Sequence, residues 1–123
     1  MNFIAVFLGG GIGSLIRYGI GIGMKNTGVH FPLGTLISNI IACLVLGLIV
    51  GVYQSKFAMH QQWWLFLSVG VCGGLSTFST FGLENAVLIR NGYWLYLILN
   101  ITISVLAGIG LIWYLLRFHE LKS

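Results

Sequence analysis

Four apolar runs, each long enough to cross a bilayer, leave this chain few other ways to fold. They extend from about Phe3 to Gly23, Leu33 to Tyr53, Trp63 to Ile89 and Trp94 to Leu116. A helix needs about 20 residues to cross a hydrocarbon core of about 30 Å, and each run supplies them. The segments between are short: Met24 to Pro32, Gln54 to Gln62 and Arg90 to Tyr93. Connections this brief make neighbouring helices antiparallel. Trp63, Trp64, Tyr93, Trp94, Trp113 and Tyr114 stand near the run ends, where interfacial aromatics belong. Pro32 suits a helix entry, because its missing N–H does no harm there. The sequence therefore predicts an all-α, multi-pass membrane protein in a single domain, residues 1–123.

Composition excludes the soluble alternatives. Only 7% of residues are charged and 58% are hydrophobic, whereas a soluble domain carries about 25% charged residues. The net charge of +4 is scattered, with no basic run, so it marks no nucleic-acid partner. Of the 18 glycines, 16 fall inside the apolar runs, where small residues let helices approach closely. Cys43 and Cys72 read as small buried hydrophobes before a disulfide or a catalytic thiol, and His30, His60 and His119 as solvated loop residues near segment ends. The first run lacks a basic leader and a small-residue cleavage site, so it reads as a span rather than a signal peptide.

The third run is unusual. At 1.5 Å per residue its roughly 27 residues would measure about 40 Å, more than a bilayer requires. Its middle reads Gly73-Gly74-Leu75-Ser76-Thr77-Phe78-Ser79-Thr80-Phe81, two glycines followed by hydroxyl residues. A break in mid-membrane frees backbone groups, which is tolerable only against protein, water or an ion. The alternative is a kinked helix whose hydroxyls bond to their own backbone.

Charge does little to orient the chain. One side would carry Lys56, Arg117 and Lys122, the other Lys25 and Arg90, and Arg17 lies within the first run. Without a positive-inside bias, either the chain inserts both ways or a partner decides. Two opposed copies would form an antiparallel dimer about an axis in the membrane plane.

The polar residues inside the runs are mostly neutral and fall at helical spacings: Thr35 and Asn39; Tyr96, Asn100, Ser104 and Gly108; Phe78 and Phe81. Such residues commonly bond helix to helix, at about 0.6 kcal/mol each. Neutral donors also suit a small anion, because they replace hydration waters without trapping the ion. Aromatic ring edges are electropositive and can face an anion too. Arg17 and Glu84 are the ionisable residues within the runs: Arg17 snorkels or lends positive potential to a vestibule, and Glu84 caps or pairs with a basic group. No paired carboxylates, nucleophile–base pair, metal cluster or phosphate loop is present in the sequence, which argues against an enzyme.

Three patches resemble the CrcB or Fluc family of fluoride channels. They are Gly9-Gly10-x-x-Gly13-Ser14-x-x-Arg17-Tyr18, Pro32-x-Gly34-Thr35-Leu36-x-x-Asn39, and the Gly73 to Phe81 string. The last is the most specific, and the family's length and four-helix plan cover the whole chain. The resemblance implies a third helix broken in mid-membrane and an antiparallel dual-topology dimer with two pores. Its partner would be a second copy or a paired sister subunit in the cell membrane, passively exporting fluoride. It also implies that Asn39, Phe78, Phe81, Thr80, Ser79, Ser104 and Thr35 line the fluoride path, with Arg17 at a vestibule. A structural sodium ion on the dimer axis would be held by the backbone carbonyls of Gly73 and Ser76. Ser76 stands where the family usually has Thr, and Ser14 and Ala42 where it has Ala and Gly. Two rivals stand beside this reading. A proton-coupled small multidrug exporter needs a carboxylate in its first helix, where this chain has Arg17; a non-transporting scaffold needs no broken span.

Overall fold

The computed structural model describes residues 1–55 and 60–122. Lys56, counted above toward orientation, lies outside the described residues. Helix α1 is Asn2–Met24 and α2 is Leu33–Ser55. The third span has two parts. Its first, α3, covers residues 61–75 and changes character along its length, with an α-helical turn Gln61–Trp64, a π-helical stretch Leu65–Cys72 and a last α-turn Gly73–Leu75. Its second part, α4, is Phe78–Arg90, and the fourth span, α5, is Trp94–Lys122. Four helical segments are thus long and apolar enough to cross a membrane, and the third is interrupted at residues 76–77.

Glycine decides how α1 meets α3. Gly9 and Gly13 are one turn apart on α1, and Gly70 and Gly74 one turn apart on α3, so both pairs face across the contact. A β-carbon on Gly70 would lie 2.8 Å from the Gly9 α-carbon, and one on Gly13 would strike the Val71 carbonyl. The two backbones touch, which side chains would forbid. On the other side, α2 packs against α5. At the turn between α4 and α5, Gly92 takes φ 75°, a left-handed conformation that costs glycine little.

The fourth span is longer than its apolar run. It continues past Leu116 to Lys122 because its charged end has partners: Arg117 lies 5.5 Å from the Trp113 ring and Lys122 4.4 Å from the Phe118 ring. His119 is not a loop residue; its ring fills the space over Gly51 of α2, where a β-carbon would collide with it. Trp94 to Trp113 measures about 29 Å along the axis, close to the hydrocarbon thickness, so the last turns stand at headgroup level.

Little of this chain's apolar surface is covered by the chain itself. No more than 22% of the most apolar stretch of any span is buried internally, and large side chains such as Phe7, Leu15, Phe78 and Leu106 are exposed. That surface meets lipid or another subunit.

Candidate ion-conduction site

The third span breaks because its backbone finds better partners off the helix axis. The Ser76 N–H closes the last turn of α3 onto the Cys72 carbonyl at 2.9 Å. Ser76 and Thr77 are then extended, with ψ 154° and 124°. Thr77 caps the next helix: its Oγ1 accepts the Thr80 N–H at 3.3 Å and donates to Thr80 Oγ1 at 3.2 Å. Hydroxyl residues are among the favoured N-caps because their oxygen answers an amide that the first turn leaves free.

Asn39 of α2 holds the break open. Its Oδ1 accepts the Thr77 N–H at 2.8 Å, and its Nδ2 donates to the Thr77 carbonyl at 3.3 Å. One amide side chain thus answers both main-chain groups of one residue. A primary amide has two N–H bonds, so one remains for a ligand. In an unbroken helix the Thr77 N–H would serve the Gly73 carbonyl, and the Thr80 N–H the Ser76 carbonyl. Both donors are diverted here. The Gly74 carbonyl takes the Arg17 Nε at 3.0 Å, a cation at the negative end of α3.

The residues singled out in the sequence divide between two hollows. A groove of about 300 Å³ brings together Asn39, Ser76, Phe78, Phe81 and Ser104, with Cys43 in its wall. The Phe78 and Phe81 ring centroids are 6.0 Å apart, and Phe78 is 83% exposed, so its ring stands out from the chain beside the groove. A second hollow of about 420 Å³ is lined by Arg17, Lys25, Thr35, Thr80 and Glu84. Thr35 and Thr80 therefore sit with Arg17 in this second hollow rather than in the groove. Ser79 is exposed, with its hydroxyl 3.3 Å from that of Thr77.

Glu84 neither caps a helix nor pairs with a base in the way the sequence suggested. Its Oε1 accepts the Thr35 hydroxyl at 2.7 Å, and its buried Oε2 has no hydrogen-bond partner among the described residues. The polar stripe of α5 is tied to α4. Asn100, 1% exposed, donates from Nδ2 to Asn85 Oδ1 at 2.9 Å and accepts the Ser104 hydroxyl at a long 3.4 Å. Tyr96, in the same stripe, meets the Phe31 and Tyr93 rings instead.

Sequence reasoning treated Thr77 as one hydroxyl in a cluster, and overlooked Asn85. The signal for Thr77 was present: a hydroxyl residue three before Thr80 at a helix start is a cap pattern. Asn85 left no local signal, because its partner lies fifteen residues on in another helix.

Comparison with known proteins agrees with this architecture. The family described as CrcB-like protein, camphor resistance, matches residues 4–115. A protein of Serratia proteamaculans named fluoride-specific ion channel FluC is 38% identical over 117 residues, 95% of this chain and 91% of the relative. One of the same name from Pyrococcus abyssi is 42% identical over 109 residues, 89% of this chain and 88% of its own. Fluoride-specific ion channel FluC 2 of Nitrobacter hamburgensis is 37% identical over 123 residues, covering 94% of this chain and 99% of the relative. The matched stretch contains the glycine contact, the Asn39 clasp and the broken third span, and the chain belongs to the CrcB-like family.

Proposed function

We propose that this chain is a fluoride-selective channel that passively exports fluoride from the cytoplasm. It works as an antiparallel, dual-topology dimer of two copies with two pores. The supporting observation is the groove at the break, where Asn39, Phe78, Phe81 and Ser104 converge without a charged side chain among them. The relatives named above as fluoride-specific channels support the choice of ion.

Fluoride holds its water tightly, so a selective path must offer dense replacement donors. The clasp with Thr77 fixes the Asn39 amide and keeps its second N–H for the ion. Thr80 Oγ1 already accepts from Thr77, so its own hydrogen is free for an anion in the vestibule. Ser104 must turn its hydroxyl from Asn100 toward the groove, and the long bond between them makes that turn easy. The ring edges of Phe78 and Phe81 add positive quadrupole where another charge would hold the ion too strongly. Arg17 and Lys25 raise the anion concentration at the vestibule. Fluoride enters acidified surroundings' cells as neutral HF and is trapped as the ion at neutral pH; an inside-negative potential then drives it out at about 2.3 kcal/mol per 100 mV.

A sodium ion shared on the dimer axis fits the same break. The Gly73 and Ser76 carbonyls, whose helical donors are diverted to Asn39 and Thr77, are oxygen ligands of the kind that hard cations take. Bound there, sodium would offset the negative end of α3 and join the two copies.

The exposed Phe78 ring and the sparsely covered spans support a second copy as partner. Efflux of fluoride from liposomes holding this chain alone, read by a fluoride electrode, tests the proposal. Rapid efflux without a proton gradient is expected, and Asn39→Asp or Phe78→Ile should abolish it. Unchanged flux in both variants would refute this mechanism.

A further inference from the structure

Two thiols share a chamber behind the ion groove. Cys43 stands one helical turn beyond Asn39 on α2, and Cys72 immediately precedes the glycine pair that ends α3. Both are free. They line one cavity of about 160 Å³ together with Ser68 and Ser76, and Cys43 also lines the groove that holds Asn39, Phe78 and Phe81. Cys43 and Ser76 therefore border both the small chamber and the groove. The Cys43 sulfur also borders Gly108 of α5, where a β-carbon would lie 3.4 Å from it.

Among the described residues, no group of three or more His, Cys, Asp or Glu side chains gathers to hold a metal. A four-ligand zinc site is not built here. Two sulfurs suit a soft monovalent cation that accepts two ligands, Cu⁺ or Ag⁺. We propose that Cys43 and Cys72 form a two-thiol site for such a cation, and that filling it closes the anion path. Each thiol loses its S–H proton, two metal–sulfur bonds form, both protons pass to water, and no electron moves. The bridge carries one net negative charge where none stood before. That charge lies in the wall of a path made from neutral donors, so it repels an entering anion. The bridge also ties α2 to α3 beside Gly73 and Ser76, at the break itself.

The flux consequence rests on the fluoride reading, while the binding does not. Silver nitrate in chloride-free buffer is the probe. Mass spectrometry of the detergent-purified chain under native conditions should show one Ag⁺ per chain with two protons lost. Binding should disappear in Cys43→Ala/Cys72→Ala. In liposomes, Ag⁺ should slow fluoride efflux by about tenfold or more, as a new like charge beside the path requires, and excess glutathione should restore it. Each single variant, Cys43→Ala or Cys72→Ala, compared with its own silver-free rate, should lose this sensitivity. Cys43→Ser serves where the alanine variant fails to fold. Silver retained by the double variant, full inhibition in Cys72→Ala, or a bound silver ion that leaves flux unchanged would each overturn the proposal. A wild-type chain that binds silver but passes no fluoride at all would instead refute the fluoride reading and leave the site standing.

Discussion

The two halves of the third span are built on opposite principles. Upstream of the break, α3 lies backbone to backbone against α1 through Gly9, Gly13, Gly70 and Gly74. Downstream, α4 is held by polar side chains: Asn39 on Thr77, Thr35 on Glu84, and Asn100 on Asn85. Close packing is rigid and punishes any added atom. Hydrogen bonds between neutral groups can be exchanged for bonds to an ion at modest cost. One sequence segment thus supplies an anchor and, after two extended residues, a surface that can trade partners. Substitutions in the first half should therefore act on folding, and those in the second on transport as well as stability.

The largest effect is expected at the anchor. Gly13→Val pushes a side chain into the Val71 carbonyl, and overpacking of this kind costs about 3 kcal/mol or more where backbone must move. The variant should lose its monodisperse gel-filtration peak. Gly11→Ala is its control: beyond its own stretch of helix, no atom lies within 4 Å of the added carbon, and the peak should persist. If both behave alike, the contrast between the halves fails.

Asn39→Ala comes next. It strands the N–H and the carbonyl of Thr77 near the membrane centre, at about 1–3 kcal/mol for each group left unpaired. Fluoride flux should vanish and the thermal midpoint should fall. Asn39→Asp sharpens the point, because it keeps the acceptor for the Thr77 N–H while adding a charge. Its carboxylate also faces the Thr77 carbonyl that Nδ2 served, so it too should lose stability and pass no fluoride.

Thr35→Val removes the one hydrogen bond that Glu84 receives among the described residues. A buried acceptor left without its donor costs about 1–3 kcal/mol. A moderate drop in thermal midpoint with a several-fold slower efflux is the expected result; an unchanged midpoint would show that the vestibule pair holds nothing.

Ser104→Ala should be the mildest. Its bond to Asn100 is long at 3.4 Å, so stability should barely change. Loss of one donor from the groove, about 0.5–1.5 kcal/mol, corresponds to roughly two- to tenfold in rate. A full loss of flux would make Ser104 a principal ligand instead of one of several.

How much of this was legible in the sequence differs between the same two halves. Hydropathy gave four spans, and the Gly-Gly-Leu-Ser-Thr-Phe string marked the break, because glycine and hydroxyl residues favour alternatives to the helix. The end of α5 was misjudged because Arg117 and Lys122 look like a stop to a hydropathy pattern, yet both rest on aromatic rings one turn back. The π-helical stretch before the break had no composition signal; Leu65-Phe66-Leu67-Ser68-Val69-Gly70 reads as an ordinary apolar helix. Polar spacing on one helix showed which residues share a face but not what they meet. It could not say that Asn39 reaches the backbone of Thr77 thirty-eight residues away, or that Thr35 turns to Glu84 and the hollow beside Arg17 rather than to the groove. Those pairings belong to the packing of helices, which no single helix encodes.

The account turns on whether uncharged groups at a broken span select fluoride over a larger halide. The reversal potential of a planar bilayer holding this chain alone, with fluoride on one side and chloride on the other, measures that directly. The expected potential follows the fluoride gradient and ignores chloride, protons and sodium. A potential that tracks chloride or a cation, or a bilayer that stays silent with the folded protein in it, would contradict it.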